Sequence, residues 1–443
     1  MGKRQAPSFL GKPLNDELLG KRIGAKRRLG FLRPATAAAV TDLGNDFSEN
    51  RKQLLELWPR VLTDAIFTLK KADKREYKKG VGLDADSLFD QASLGVQELG
   101  KLFEGFKNFE PMLYGASEER YRDHIAHPFR VWMLGHLILD ECLGWDLFSE
   151  KRMRWAISST EWKCMWAIAA LCHDVGYPLE GVEMINDKAR DALGALGLRA
   201  LGDLRFGFSQ QMMPFHDTVI RLMASKPVRL HGAYYTHLQS KYYLKYLKSF
   251  DLLRHGIISA LLISKGLVYF LESDLSLDPL KPLARDDVRQ FLIRREILRA
   301  IASHTCLDIY HLRFNTLPFV LYMVDEMQGW GRPTFAEARG GIAQEQETTI
   351  ETFDATTLHV AVRVPQEEWN LAYNEGRDGW LARKVNNLHQ IVRLAVDTPR
   401  ARSLQLRVEY WPKGGGNEYA RFQLRRGNID KCPTCWFPDA QQQ

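Results

Sequence analysis

Apolar residues recur at helical spacing along most of the chain. From Ser48 to Lys71, leucines return with Trp58, Val61 and Ile66 every three or four positions, the spacing that lays one stripe along a helix. A second helix is expected from about Ala85 through Leu94, Leu99 and Phe103, with the charged, glycine-bounded stretch from Lys70 to Gly82 as a linker or exposed turn between them. From about Tyr121 to Trp330 the period persists over 124–140, 161–174, 253–271, 289–304 and 317–329, so this region reads as all-α. An insert from Gly181 to Tyr243 carries Gly, Pro and scattered aromatics, and reads equally as a cover over a pocket or as a surface excursion.

Past Gly331-Arg332-Pro333 the period shortens to two. Thr357 to Val364, Ser403 to Trp411 and Glu418 to Leu424 alternate apolar and polar positions as half-buried strands do, with a helix from Glu367 to Leu394 between the first two. A small β-α-β-β unit follows from that order. The expected fold class is mainly α: a central helical bundle over 110–335, a basic arm and helical region over 1–109, a small α+β domain over 345–430 and a tail over 431–443. A chain of 443 residues is long enough for two or three such units, with a sizeable core.

Composition changes this picture little. With 45% hydrophobic and 26% charged residues, the chain is an ordinary globular protein and not a disordered or collagen-like one. The formal charge of +7 is concentrated partly in Lys21, Arg22, Lys26, Arg27 and Arg28. That run reads as a solvated tail; nucleic-acid contact is the alternative, since basic clusters supply nonspecific phosphate affinity but no recognition chemistry. Ala6 stands where a myristoylation signal needs Ser or Thr, no apolar secretory segment follows, and the window Ile257 to Leu271 is broken by Lys265 and short for a bilayer. A cytoplasmic protein without membrane contact is expected.

Four of the six cysteines, Cys142, Cys164, Cys172 and Cys306, fall inside apolar helical patterns, as core thiols of a reducing compartment do. Cys432 and Cys435 form a lone Cys-x-x-Cys, whereas a zinc ribbon needs two such pairs. That pair reads either as a metal site completed across a homo-oligomer or as a tail with no ligand.

The chemistry sits in the helical region. Side chains three, four and seven apart share a helix face. By that rule His127, His173, Asp174, His255, His304 and Asp325 all align with apolar neighbours on separate helices, Asp325 on a last helix that Pro318 is placed to open. One inward histidine is ordinarily a hydrogen-bonded core residue. Four histidines and two aspartates facing inward together are costly to bury unless something satisfies them, and a metal centre does so. Neutral imidazole with carboxylate suits Mn²⁺, Fe²⁺, Co²⁺ or Zn²⁺, and the absence of a cysteine cluster argues against structural zinc.

In order and context these residues resemble the HD superfamily of metal-dependent phosphohydrolases. His127-Pro128-Phe129-Arg130-Val131 is similar to its His-x-x-Arg-Val opening, Leu171-Cys172-His173-Asp174-Val175-Gly176 to its His-Asp core, and Val324-Asp325-Glu326 to its final aspartate. His255-Gly256 and Ser303-His304 resemble the two intervening histidines of binuclear members. The resemblance covers about half the chain. It implies an HD-type helical bundle in which His127, His173, Asp174 and Asp325 hold one ion, and catalytic Asp174 bridges to a second, held by His255 and His304. Divalent ions, Mg²⁺ among them, would activate a water for hydrolysis of a nucleotide or another small phosphoester.

Arg130, one turn from His127, is read in two ways, as a bidentate phosphate contact or as a pin between helices. Tyr177-Pro178 stands where some branches carry Gly-Lys, which speaks against the cyclic-dinucleotide branch. His231 and His237, in the insert, are read as extra ligands or acid catalysts, or as ordinary surface residues. Two other functions stay open beside hydrolysis: a di-iron oxygenase on the same ligand set, and a non-catalytic sensor or binding module.

Overall fold

The computed structural model describes residues 9–24, 28–73, 84–105, 123–145, 157–182, 213–271, 280–306, 309, 316–332, 346–353, 357–375, 379–392, 405–415, 420–425 and 428–429. Cys432 and Cys435 lie outside the described residues. The protein is mainly helical, with a small sheet near its C-terminal end.

The N-terminal helices are α1 (Asp16–Ile23), α2 (Pro34–Thr41), α3 (Arg51–Lys71) and α4 (Ala85–Ser93). Next come α5 (Ala126–Ile138), which runs on into a π-helical turn at Leu139–Leu143, and α6 (Ser159–Cys172). The start of α6 is set locally. The Ser158 hydroxyl accepts from the Glu161 backbone N–H while the Glu161 carboxylate accepts from Ser158 N–H, a capping box that satisfies two end donors at once. After it follow α7 (Met213–Ala224), α8 (Ser240–Asp251), α9 (His255–Gly266), the short α10 (Val268–Leu271), α11 (Arg285–Ser303) and α12 (Leu317–Met327). Thr316 caps α12 and Pro318 sits in its first turn, where a missing N–H costs nothing.

Helix α6 lies at the centre, packed against α3, α5, α11 and α12. Every residue of α5 is buried, so its apolar positions show no single stripe. Two buried indoles tie the layers: Trp58 Nε1 donates to Leu171 O at 2.9 Å and Trp166 Nε1 to Trp132 O at 2.8 Å. One hydrophobic core joins Phe9 near the start of the chain to Ala420 in the sheet.

Three features differ from the sequence expectation. The region 121–330 is not wholly helical: β1 (Ser225–Leu230) and β2 (Ala233–Leu238) form an antiparallel hairpin inside the insert. Its turn, His231-Gly232, has positive φ at both positions (48° and 87°), the geometry that matches the twist of two-residue hairpins. The basic stretch is not a solvated tail where it is described, because Leu19 and Ile23 of α1 are fully buried and Arg28 pairs with Glu141 at 2.5 Å. Lys26 and Arg27 lie outside the described residues.

The C-terminal unit is also larger than β-α-β-β. Strands β3 (Glu347–Phe353), β4 (Thr357–Val364), β5 (Gln405–Pro412), β6 (Ala420–Arg425) and β7 (Asn428–Ile429) form one sheet in that order. Among the described residues only β4 and β5 run parallel, joined through α13 (Gln366–Glu375) and α14 (Trp380–Val392). The chain's beginning docks on edge strand β3, where Gly11 N donates to Ile350 O at 2.9 Å and Leu14 N to Thr348 O at 2.8 Å.

Candidate metal centre

The site is assembled mostly at helix ends, where backbone groups lack helical partners and can orient a side chain. His173 immediately follows α6, and its Nδ1 lies 2.8 Å from Ala170 O; His304 immediately follows α11, with Nδ1 2.6 Å from Ile301 O. In both, a carbonyl can only accept, so Nδ1 carries the proton and the lone pair of the neutral ring is on Nε2. His127, in the first turn of α5, has Nδ1 at 2.5 Å from Gln328 Oε1, and His255, opening α9, has Nδ1 at 2.6 Å from Glu180 Oε2.

The four Nε2 atoms converge. Those of His127 and His173 are 3.3 Å apart, and those of His255 and His304 are 3.0 Å apart. Asp174 lies between the pairs. Its Oδ2 is 3.5 Å from His127 Nε2 and 3.4 Å from His173 Nε2, while its Oδ1 is 3.2 Å from His255 Nε2 and 3.4 Å from His304 Nε2. Asp325 Oδ1 completes the first pair, 3.0 Å from His127 Nε2 and 3.9 Å from His173 Nε2. The six residues named from the sequence are thus brought together, one carboxylate oxygen facing each half of the cluster.

The residues present suit a cation. Lone pairs and carboxylate oxygens gathered within van der Waals distance repel one another, and no backbone or hydroxyl donor among the described residues reaches either oxygen of Asp174. His173, Asp174, His304 and Asp325 are all nearly inaccessible to solvent. Burial pushes the pKa of His173 down to about 3, so that ring is neutral and offers its lone pair. Burial would raise the Asp174 carboxyl, but His173, His255 and His304 hold it well below the ordinary range. For His255, burial disfavours charge, yet Glu180 and Asp174 together raise its pKa to about 10. A proton and a metal ion are competitors for its Nε2. Two overlapping buried groups, His127 with His173 and Asp325, and His173 with Asp174 and His304, could hold a metal ion.

Two glycines let the helices approach closely enough. A Cβ on Gly176 would fall 2.6 Å from His255 O and 2.7 Å from Ser259 N, and one on Gly256 would fall 2.6 Å from Thr305 Oγ1 and 2.7 Å from Ile301 O. Either would push apart the segments that carry Asp174, His255 and His304.

Arg130 does not face this cluster. Its Nε and Nη2 each donate to Asp16 at 2.8 Å, Nη2 also reaches Ser48 Oγ, and Nη1 reaches Gly331 O at 3.3 Å. Of the two readings of this arginine, its partners supply the one in which it pins helices, because a guanidinium committed this way in the interior has no face left for phosphate. His231 and His237 are exposed on the hairpin and outside the cluster.

Sequence reasoning missed the residues that orient the ligands. Gln328 and Glu180 hold His127 and His255. Glu180 also accepts from His255 N at 2.7 Å and pairs with Arg254 at 3.0 Å. Neither carries a sequence signal beyond lying within three to six residues of a ligand. Tyr177 packs edge-on to His255 at 5.3 Å between centroids and is stacked on His124 at 4.0 Å, forming an aromatic wall beside the second half of the cluster.

Compared with family models, with curated proteins and with solved structures, the chain has no match.

Proposed function

We propose that this chain is a metal-dependent phosphohydrolase of the HD type, binding two divalent ions and hydrolysing a nucleotide or another small phosphoester. The observation that carries the reading is the position of Asp174, whose two oxygens each face a separate pair of imidazoles. A carboxylate in that position can bridge. His127, His173, Asp174 and Asp325 would hold one ion, and Asp174, His255 and His304 the other. Such ions would supply an acidified water near neutral pH and neutralise charge developing on a phosphoryl oxygen.

The protein's own groups do the rest. Gln328 and the carbonyls of Ala170 and Ile301 keep protons on Nδ1, so that no ring must turn or lose a proton there. Among the four histidine ligands His255 has the most exposed side chain, 15% against 1% or less for the others, so substrate would enter on its side. Arg254 stands there with its side chain 46% exposed and takes over the phosphate-contact role expected of Arg130.

The test is metal analysis of protein purified without chelator, paired with a phosphate-release panel over nucleotides and simple phosphoesters with added Mn²⁺, Co²⁺ or Mg²⁺. Metal-dependent release that disappears in His173→Ala and Asp174→Ala protein is expected. Two retained iron atoms with oxygen consumption and no phosphate release would replace hydrolysis by oxygenation. Binding of a phosphate ester without turnover would leave a sensor module.

A further inference from the structure

The orientation of His127 depends on residues far from it in sequence. Gln328 Oε1 accepts from His127 Nδ1–H at 2.5 Å and lies 3.3 Å from both Nε and Nη2 of Arg332, while Gln328 Nε2 donates to Trp330 O at 2.5 Å. These partners fix which end of the amide is which. Turned over, Gln328 would point its NH₂ at a guanidinium and its oxygen at a carbonyl. The oxygen must therefore face His127, and His127 must carry its proton on Nδ1.

Trp330 is held in turn. Its indole Nε1 donates to Asp16 Oδ1 at 2.8 Å, and Asp16 is itself fixed by Arg130 and by Phe47 N at 3.1 Å. Asp16, Arg130, His127, Gln328 and Trp330 are all buried. Asp16 opens α1, so the N-terminal arm reaches the cluster through Trp330, whose indole donates to Asp16 and whose backbone carbonyl accepts from Gln328, the partner of His127.

We infer that Asp16 is a positioning residue for metal binding, acting through Trp330 and Gln328 to hold His127 in the tautomer and rotamer that present Nε2 to an ion. Outer partners that orient a ligating histidine typically change metal affinity about 10- to 100-fold. The inference rests on the metal-binding part of the proposed function and is independent of the reaction catalysed.

Co²⁺ titration of the full chain against a competing chelator tests it. In a His255→Ala background the His127 half of the cluster is read by itself. There, Trp330→Phe, which removes the indole donor together with part of a buried ring, is expected to weaken Co²⁺ binding about 10-fold, and Gln328→Leu by up to about 100-fold. In a complementary His127→Ala background, adding Trp330→Phe should leave binding at the His255 half unchanged, although the smaller buried ring lowers the melting temperature. Asp16→Asn should follow Trp330→Phe where it folds, and Trp330→Phe carries the test where it does not. Unchanged Co²⁺ affinity in Trp330→Phe and Gln328→Leu protein would overturn the inference. So would equal weakening of both halves, which marks a merely structural role. Wild-type protein that binds Co²⁺ but hydrolyses nothing removes the hydrolytic reading and leaves this one standing; wild-type protein that takes up no Co²⁺ overturns both.

Discussion

His173 and His304 close two different helices in the same manner, each with Nδ1 against the carbonyl three residues back, Ala170 O and Ile301 O. The last carbonyls of a helix have no intrahelical donor. An imidazole that follows the last turn can supply one and, in doing so, points its other nitrogen away from the helix. Two helix ends aimed at one carboxylate, Asp174, therefore generate half of the cluster from backbone geometry. His127 and His255 enter from helix beginnings, where Gln328 and Glu180 replace the carbonyl.

Because Asp174 faces both imidazole pairs, its replacement should disable both at once. Wild-type protein is expected to melt at higher temperature with a divalent ion at about 100 times its Kd, a native-state stabilisation of about 2.7 kcal/mol per site. Asp174→Asn should abolish the whole shift while leaving the metal-free protein folded, since an amide NH₂ can donate to an Nε2 lone pair. His255→Ala should remove only part of it. Differential scanning calorimetry with and without Mn²⁺ measures all three, and a full shift retained in Asp174→Asn protein would rule out the bridging position.

A second prediction concerns acid stability and a histidine outside the cluster. His136 is fully buried on α5, stacked on Phe31 and tilted against Trp145. Burial, reinforced by Lys163 and Arg28 and opposed by Asp140, pushes its pKa down to about 3. An unfolded chain would protonate this residue at about pH 6.5. Between those values the unfolded state binds the extra proton, so stability is complete above about pH 6.5 and falls as pH drops toward 3, by at most about 1.4 kcal/mol per pH unit from this one group. Urea unfolding at pH 7.5 and pH 5 should therefore show a smaller loss in His136→Leu than in wild type. Equal losses would mean that His136 takes up its proton without unfolding.

What could be read from the sequence, and what could not, divides along the same physical line. Helix α3 was legible because burial along one face imposes a period, whereas α6 and α12, buried nearly all round, were legible as long apolar runs; the six ligand candidates were legible because polar side chains stood among apolar neighbours in these helices and in α5, α9 and α11. The hairpin at 225–238 was not, although the two positive φ angles of His231-Gly232 match a turn whose sequence signal is a glycine in second place. Strand β3 was hidden by a register shift between Ile350 and Thr352, which breaks the alternation of inward and outward residues. Gln328, Glu180 and Asp16 were invisible for a different reason. Each matters through a partner distant in the chain, up to 314 residues for Asp16 and Trp330, and no local period records that. Arg130 shows the converse, a residue in a familiar context whose actual partner, Asp16, decides its role.

The exposed guanidinium at the His255 side yields the last prediction. Arg254 uses Nη1 on Glu180 and keeps nearly half of its side chain in solvent, whereas Arg130 is sealed in. A substrate phosphate entering beside His255 would meet Arg254 first, and a hydrogen bond to a charged group contributes about 1.5–3 kcal/mol. Arg254→Ala is therefore expected to raise KM for the phosphoester about 10- to 100-fold, with a smaller change in kcat, because the contact is made in the bound substrate as well as in the transition state. Metal content should stay at the wild-type level, since Glu180 still holds His255 through both N and Nδ1. Arg130→Met should show the opposite pattern, lowered stability from the uncompensated Asp16 carboxylate with KM unchanged in whatever protein folds. Steady-state kinetics on the two variants, with metal content and melting temperature measured alongside, separate these roles, and a KM unaffected in Arg254→Ala protein would take the phosphate contact away from this residue.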